Sequence, residues 1–301
     1  MSEKSSTRGD STHKWLFLPR FRSGAFGWKS DTPIKRLKEA VLEIKKVSRK
    51  EPTLAAEGSI KLIERISNAL MNVDGSSGAM RSAVNAAIEE LVKVISNAKC
   101  DTETRAYWLK RLYEAHEADE IPYIEALADY FGELCASKEL ASKWADKLIE
   151  PTKSYLTDRK SFMSSFSGTS VCLSCLFKAE RYDELLQLLR CYQYNLLDYK
   201  SWGAKALAAQ GKIDEAIEYA ESCKDSRNIY EDIQISQLCE EILLQAKEAN
   251  QKNNWQRACD NYARAAASKI GKDDELVASI NDRIQNANPK DFVVKAIREK
   301  L

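Results

Sequence analysis

Residues 204–220 read AKALAAQGKIDEAIEYA, and two further stretches carry the same pattern at matching offsets: LSCLFKAERYDELLQLL at 173–189 and AKEANQKNNWQRACDNY at 246–262. In each, a small or apolar residue recurs three places on (Leu173 and Leu176, Ala204 and Leu207, Ala246 and Ala249). A polar turn follows, and a second segment opens on Tyr182, Ile213 or Trp255. Apolar positions at helical spacing on both sides of a short turn predict antiparallel helix pairs, and self-similar pairs predict stacking as an α-solenoid. In this frame Leu185, Ala216 and Ala258 coincide, as do Leu189, Ala220 and Tyr262. Small residues at helix crossings let backbones approach while larger ones fill the adjoining grooves. The expected fold class is therefore all-α.

The middle copy resembles a tetratricopeptide repeat, with Gly211 at the turn position that favours glycine; the third resembles it less, and the first only in outline, with Glu180 where glycine is expected. Composition agrees with helix. Among 301 residues only 11 are Gly and 6 Pro, few of the punctuators that a strand-rich fold with many turns would use. A net charge of +1 conceals an asymmetry: residues 1–50 carry 13 Lys and Arg against 5 Asp and Glu, leaving the remainder acidic. That basic end could meet an acidic partner, contact nucleic-acid phosphates, or rest on the chain's own acidic body.

All 8 cysteines lie between Cys100 and Cys259, mostly within helical patterns, and the first apolar run, Trp15 to Leu18, is too short for a secretory h-region. The cysteines read as reduced thiols and the expected location is cytoplasmic. No run approaches the ~18 apolar residues of a membrane-spanning helix, so no membrane insertion is expected.

Three regions are expected along the chain. Residues 1–30 comprise a disordered tail, MSEKSSTRGDST, and an irregular arm in which Trp15, Phe17, Phe21, Phe26 and Trp28 alternate with Lys14, Arg20, Arg22 and Lys29. Residues 31–151 form a helical block. Its first helix starts at Asp31 or Thr32 beside Pro33 and buries Ile34, Leu37, Val41, Ile44 and Val47; others run from about 53 to 72, 79 to 97, and from Asp101. A helix restarts at IPYIEALADYFGELCAS with Pro122 in its first turn, Ser137 caps a further helix, and Pro151 closes the block. Residues 160–301 hold the tetratricopeptide-like repeats and two capping helices, around 275–285 and 291–301.

Together FRSGAFGWKSDTPIKRLKEAVLEIKKVSRKEP, AAEGSIKLIERISNALMNVDGSSGAM, IPYIEALADYFGELCAS and the stretch from RYDELLQLL through WGAKALAAQGKIDEAIEYAE to CEEILL resemble a family of uncharacterised bacterial proteins built around a domain of unknown function. The resemblance implies a helical fold in a bacterial cytoplasm, and brings no catalytic residue or cofactor.

Several constellations invite a chemical reading. The loop VDGSSGAMR could offer N–H groups, the hydroxyls of Ser76 and Ser77 and the charge of Arg81 to an anion, although caps explain the same residues and the P-loop lysine is absent. The CxxC of Cys172 and Cys175 sits in an apolar helix without a second pair, which favours buried thiols. His116, near Glu114, Glu117, Asp119 and Glu120, reads as exposed or charge-paired at a helix end, and the acids as a solvated junction before the next helix. Trp108, Trp144, Trp202 and Trp255 read as core anchors.

The aromatic arm is expected to pack on the body as a strap, with Trp15, Arg20, Arg22 and Trp28 as contact residues in the alternative. The function expected is a helical-repeat scaffold that binds a protein or peptide, with Tyr199, Lys200, Lys205 and Asn261 as interaction surface and no cofactor. The alternatives are a nucleic-acid-associated protein using the basic N-terminal region, and an enzyme with an unfamiliar site around Asp74 to Arg81 and the Glu114 to Glu120 acids.

Overall fold

The computed structural model describes residues 13–157, 166–192 and 197–223, together with helical residues at 234, 235, 238, 239, 241–243, 245 and 246. The N-terminal tail, the third repeat beyond Ala246 with Trp255 and Asn261, and the capping helices lie outside the described residues. The protein is all-α, and no strand occurs among the described residues. No helix there is long and apolar enough to cross a membrane. The chain divides into two compact units, one reaching Leu148 and including Ser167–Ala179, the other comprising 149–166 and the residues from Glu180 onward.

In the first unit, α1 (Asp31–Ser48), α2 (Pro52–Leu70) and α3 (Ala79–Asn97) pack against one another, and α4 (Thr102–Glu117) lies on α2. The helix α1 buries Pro33, Leu37, Ala40, Val41 and Ile44 along one side, much as the apolar spacing predicts, whereas Ile34 and Val47 are only half-buried. The central member is α2. Ala55, Ala56, Gly58, Ser59, Ile60, Ile63 and Ile66 are all buried, a band too wide for a helix with one covered side. Pro52 opens this helix, since its missing N–H would be unbonded in the first turn. Asp101 caps α4 by accepting from the Thr104 N–H at 2.7 Å, and that bond holds its carboxyl below the ordinary range.

Two segments depart from the sequence reading. The stretch expected as one helix from Pro122 is a 3-10 helix, Glu125–Tyr130, followed by a single turn, α5 (Phe131–Leu134). Asp119 grips the Ile124 N–H at 2.7 Å and keeps the approach irregular. Beyond it, the Gly132 N–H donates to Ser174 Oγ at 2.9 Å while that hydroxyl donates to the Asp129 carbonyl at 2.8 Å. A side chain of α7 (Gly168–Lys178) thus takes bonds that a longer helix would have made internally. The second departure is α6 (Lys138–Thr157), which Ser137 caps through the Leu140 N–H at 3.2 Å and which continues through Pro151 instead of ending there. Proline inside a helix costs about 3 kcal/mol, and the burial of Leu156, about one turn on, works against that cost.

The second unit contains α8 (Tyr182–Arg190), α9 (Leu197–Ala209) and α10 (Ile213–Glu221). Both α8 and α10 open on the aromatic or aliphatic residue expected of them, and Leu185, Leu189, Ala216 and Ala220 are buried. The α9–α10 turn places Gly211 at φ 80°, a left-handed conformation that costs glycine little, and Glu180 adopts φ 60° at the matching place before α8. One core runs from Leu197, Ala204 and Leu207 through Ile213 and Ile217 to Ile235, Ile242 and Leu243.

Candidate functional site

The residues proposed from sequence are mostly engaged within the fold. In the Val73–Arg81 loop, Asp74 accepts from the Ser76 N–H at 2.9 Å and the Ser76 hydroxyl at 3.0 Å, so a carboxylate already fills the turn that was read as an anion cradle. Ser77 accepts from the Ala79 N–H at 3.4 Å, Arg81 pairs with Glu125, and the helix cap is Gly78 rather than either serine. Trp15 cannot serve as a contact residue because it is 1 % exposed, its ring lying over Gly58; Phe17, Phe21 and Phe26 are buried with it. Arg20 pairs with Glu39 at 3.0 Å, Arg22 is exposed, and Trp28 is 72 % exposed. The arm is a strap held further by Leu16 N–H to Glu43 and Gly24 N–H to the Asn68 carbonyl, each 2.8 Å.

Tyr199, Lys200 and Lys205 all lie on α9, but none is an unengaged surface group. Lys200 donates to the Leu189 carbonyl at 3.2 Å, burial lowering its pKa, while Tyr199 meets the Tyr192 ring at 5.4 Å and Lys205 lies 5.0 Å over Trp202. His116 is buried rather than exposed, its Nε2 3.1 Å from the Ser167 carbonyl. Its acidic neighbours disperse: Glu114 and Glu117 end α4 rather than begin a helix, and Asp119 also accepts from Ser67. Cys172 and Cys175 are buried in α7, and burial with the Cys135 and Cys172 thiols alongside pushes the Cys175 thiol well up, the opposite of an activated nucleophile. No group of His, Cys, Asp and Glu among the described residues has metal-holding geometry.

Geometry instead draws attention to a groove of about 670 Å³ between α4 and α6. Thr102, Ala106 and Lys110 repeat every fourth residue along one wall, and Leu140, Lys143, Trp144, Asp146 and Lys147 form the other. The floor is apolar. Trp144, 8 % exposed, is held there by Phe131 at 4.9 Å and Tyr113 at 5.1 Å, ring centre to ring centre, so the small part of it that reaches the groove is fixed. The rim carries three lysines and one acid, Asp146: Lys147 stands 4.8 Å above the Trp144 ring, Lys143 has no ion pair among the described residues, and Lys110 has Glu114, at 3.7 Å on the surface. Exposed pairs of that kind contribute little.

A second depression of about 320 Å³ adjoins the groove at Thr102 and Leu140. Its buried cation, Arg105, is committed to the fold. Nη1 donates to the Ile95 carbonyl at 2.8 Å and Nη2 to the Ala98 carbonyl at 2.6 Å, satisfying the unpaired end of α3. Burial raises the Cys100 thiol beside it against the attraction of that guanidinium. Trp144 is buried as the sequence reading expected of a core anchor, but that reading missed the groove it floors; the signal available was Lys143 and Lys147 one helical turn apart around it. Comparison with protein-family models, curated proteins and solved structures gives no match.

Proposed function

We propose that the protein is a docking adaptor whose α4–α6 groove receives an acidic, amphipathic helical segment of another protein. The observation that carries this reading is a preformed apolar floor, Ala106, Leu140 and Trp144, bounded by Lys110, Lys143 and Lys147, which outnumber the single acid Asp146. An apolar anchor desolvates against the Trp144 edge, and carboxylates at neighbouring turns of the ligand helix meet the lysines, fixing register and favouring acidic partners. An open groove without convergent buried polar groups suits a polypeptide better than a small metabolite. Tetratricopeptide-like stacking of helix pairs in the C-terminal half, membership of the bacterial family that the sequence resembles, and a cytoplasmic setting belong to the same proposal. The paired helices α9 and α10, turned by Gly211, support it.

The test is fluorescence polarisation with a labelled helical peptide carrying leucines at i, i+3 and i+7 between glutamates. Lys143→Glu with Lys147→Glu is expected to weaken binding at least tenfold, and Ala106→Phe, which fills the groove without changing charge, to abolish it. Equal affinity for wild type and both variants overturns the proposal, as does the absence of binding by the wild type.

A further inference from the structure

We infer that the outward face of α1 is a sequence-independent docking surface for the phosphodiester backbone of nucleic acid. Lys35, Lys38, Leu42, Lys45, Lys46 and Arg49 succeed one another at mostly three- and four-residue steps and are all exposed, on the side of the helix opposite the buried Leu37, Ala40 and Ile44. Of the acids of the same helix, Asp31 lies exposed one turn before Lys35 at the N-terminal end of the stripe, whereas Glu39 takes Arg36 at 2.7 Å and Arg20 at 3.0 Å, and Glu43 accepts the Leu16 N–H. Lys45 shares Glu90 with Lys93. Lys35, Lys38, Lys46 and Arg49 make no salt bridge among the described residues; Lys35 stands in the field of the Glu39 carboxylate, whereas Lys38, Lys46 and Arg49 have no acid recorded against them.

Complementing the helix dipole accounts for Lys45, Lys46 and Arg49 at the C-terminal end, but gives Lys35 and Lys38, in the N-terminal half, no benefit. From Lys35 to Arg49 the stripe runs about 21 Å, the length over which one strand of a duplex presents roughly six phosphates. Lysines predominate, and they bind phosphate as point charges, which suits contact with the backbone rather than bidentate reading of bases. An anionic membrane would require an apolar face turned outward, and here that face is buried, leaving Leu42, 66 % exposed, as the one apolar side chain within the stripe.

The experiment is anisotropy titration of a labelled random-sequence 20-base-pair duplex with the full-length protein between 50 and 200 mM NaCl. Four phosphate contacts give a slope of log K against log salt of about −3.6, an affinity loss of about 150-fold over that range. Replacing Lys35, Lys38, Lys46 and Arg49 together by Gln is expected to remove binding while circular dichroism stays unchanged, because all four side chains are exposed. Leu42→Asp, a single change at the centre of the stripe, is expected to weaken binding at least tenfold. Lys143→Glu with Lys147→Glu is expected to leave the slope intact, which separates this surface from the groove. Three outcomes overturn the inference: no duplex binding at 50 mM NaCl, wild-type binding by the fourfold variant, or binding to phosphatidylserine vesicles without binding to duplex.

Discussion

Replacing Gly58 by alanine sets two effects of opposite sign against each other. Inside a helix the change is worth about 1 kcal/mol in favour of the fold, because alanine loses less backbone freedom than glycine. Here, however, the new Cβ would stand 2.3 Å from Cζ2, 2.6 Å from Cη2 and 2.7 Å from Cε2 of Trp15, where ordinary contact begins near 3.4 Å. The indole must retreat, and it is 1 % exposed and packed against Phe17 at 5.4 Å and His13 at 4.4 Å. Overpacking of this kind costs about 1–3 kcal/mol. Outright expulsion would expose roughly 150–250 Å² of ring at about 25 cal/mol per Å², or about 4–6 kcal/mol, so the strap strains in place. The expected net effect of Gly58→Ala is a loss of about 1 kcal/mol. In a Trp15→Ala background the obstacle is gone and the same substitution is expected to stabilise by about 1 kcal/mol, a coupling of about 2 kcal/mol. Urea denaturation of the four proteins measures it, and tryptic cutting at Lys14, Arg20, Arg22 and Lys29 reports whether the strap has lifted. Equal stabilisation by Gly58→Ala in both backgrounds would refute the docking of Trp15 on α2.

Arg111 joins α4 to α2, with Nε and Nη2 on the two oxygens of Glu64 at 2.6 and 2.7 Å and Nη1 on Glu57 at 2.8 Å. Arg111→Met leaves two half-buried carboxylates facing each other and is expected to cost about 2 kcal/mol by urea denaturation, partly regained by Glu64→Gln; a loss below about 0.5 kcal/mol would mean that water serves the carboxylates as well. Burial, with Glu117 adding to it, pushes the Tyr113 phenol from 10 to about 12, and burial does the same to Tyr219. A folded-state value above the unfolded one means that this stability is complete below pH 10 and is lost as pH rises towards 12, so the melting temperature should fall across that window. Replacing both tyrosines by phenylalanine should flatten the fall, and a rise in melting temperature with pH over the same range would contradict it.

What could be read from sequence was what the chain decides locally. The helices α1 to α4 follow from apolar stripes and from caps such as Asp101, whose partner is three residues away. The α9–α10 turn follows from Gly211. The failures share a cause, namely a partner distant in sequence. Nothing near Gly132 announces that Ser174 will take its N–H, so the helix expected from Pro122 breaks into shorter turns. Pro151 looks like a stop, yet α6 runs on to Thr157 and buries Leu156. His116 looks solvated until the Ser167 carbonyl is placed beside it. The groove is of the same kind, because Ala106 and Lys110 acquire meaning only when α6 brings Trp144 opposite them.

A formal charge of +1 also hides how charge is used. Within the first unit the well-placed carboxylates are consumed in holding the fold: Glu57 and Glu64 on Arg111, Glu39 on Arg20 and Arg36, Glu90 on Lys45 and Lys93, and Glu125 on Arg81. Cations without a salt bridge among the described residues include Lys38, Lys46 and Arg49 on the outer face of α1 and Lys143 on the rim of the α4–α6 groove. Their structural cost of removal is small, because an exposed lysine that touches no acid stabilises little. Charge neutralisation should therefore divide cleanly: at Arg111 it lowers stability, whereas at Lys38 or Lys143 it leaves stability alone and changes only association. With the overall charge near zero, long-range steering is weak, and contact at either cluster depends on local fields that salt screens within about 10 Å at 0.1 M. Binding measured only at physiological salt would understate both surfaces.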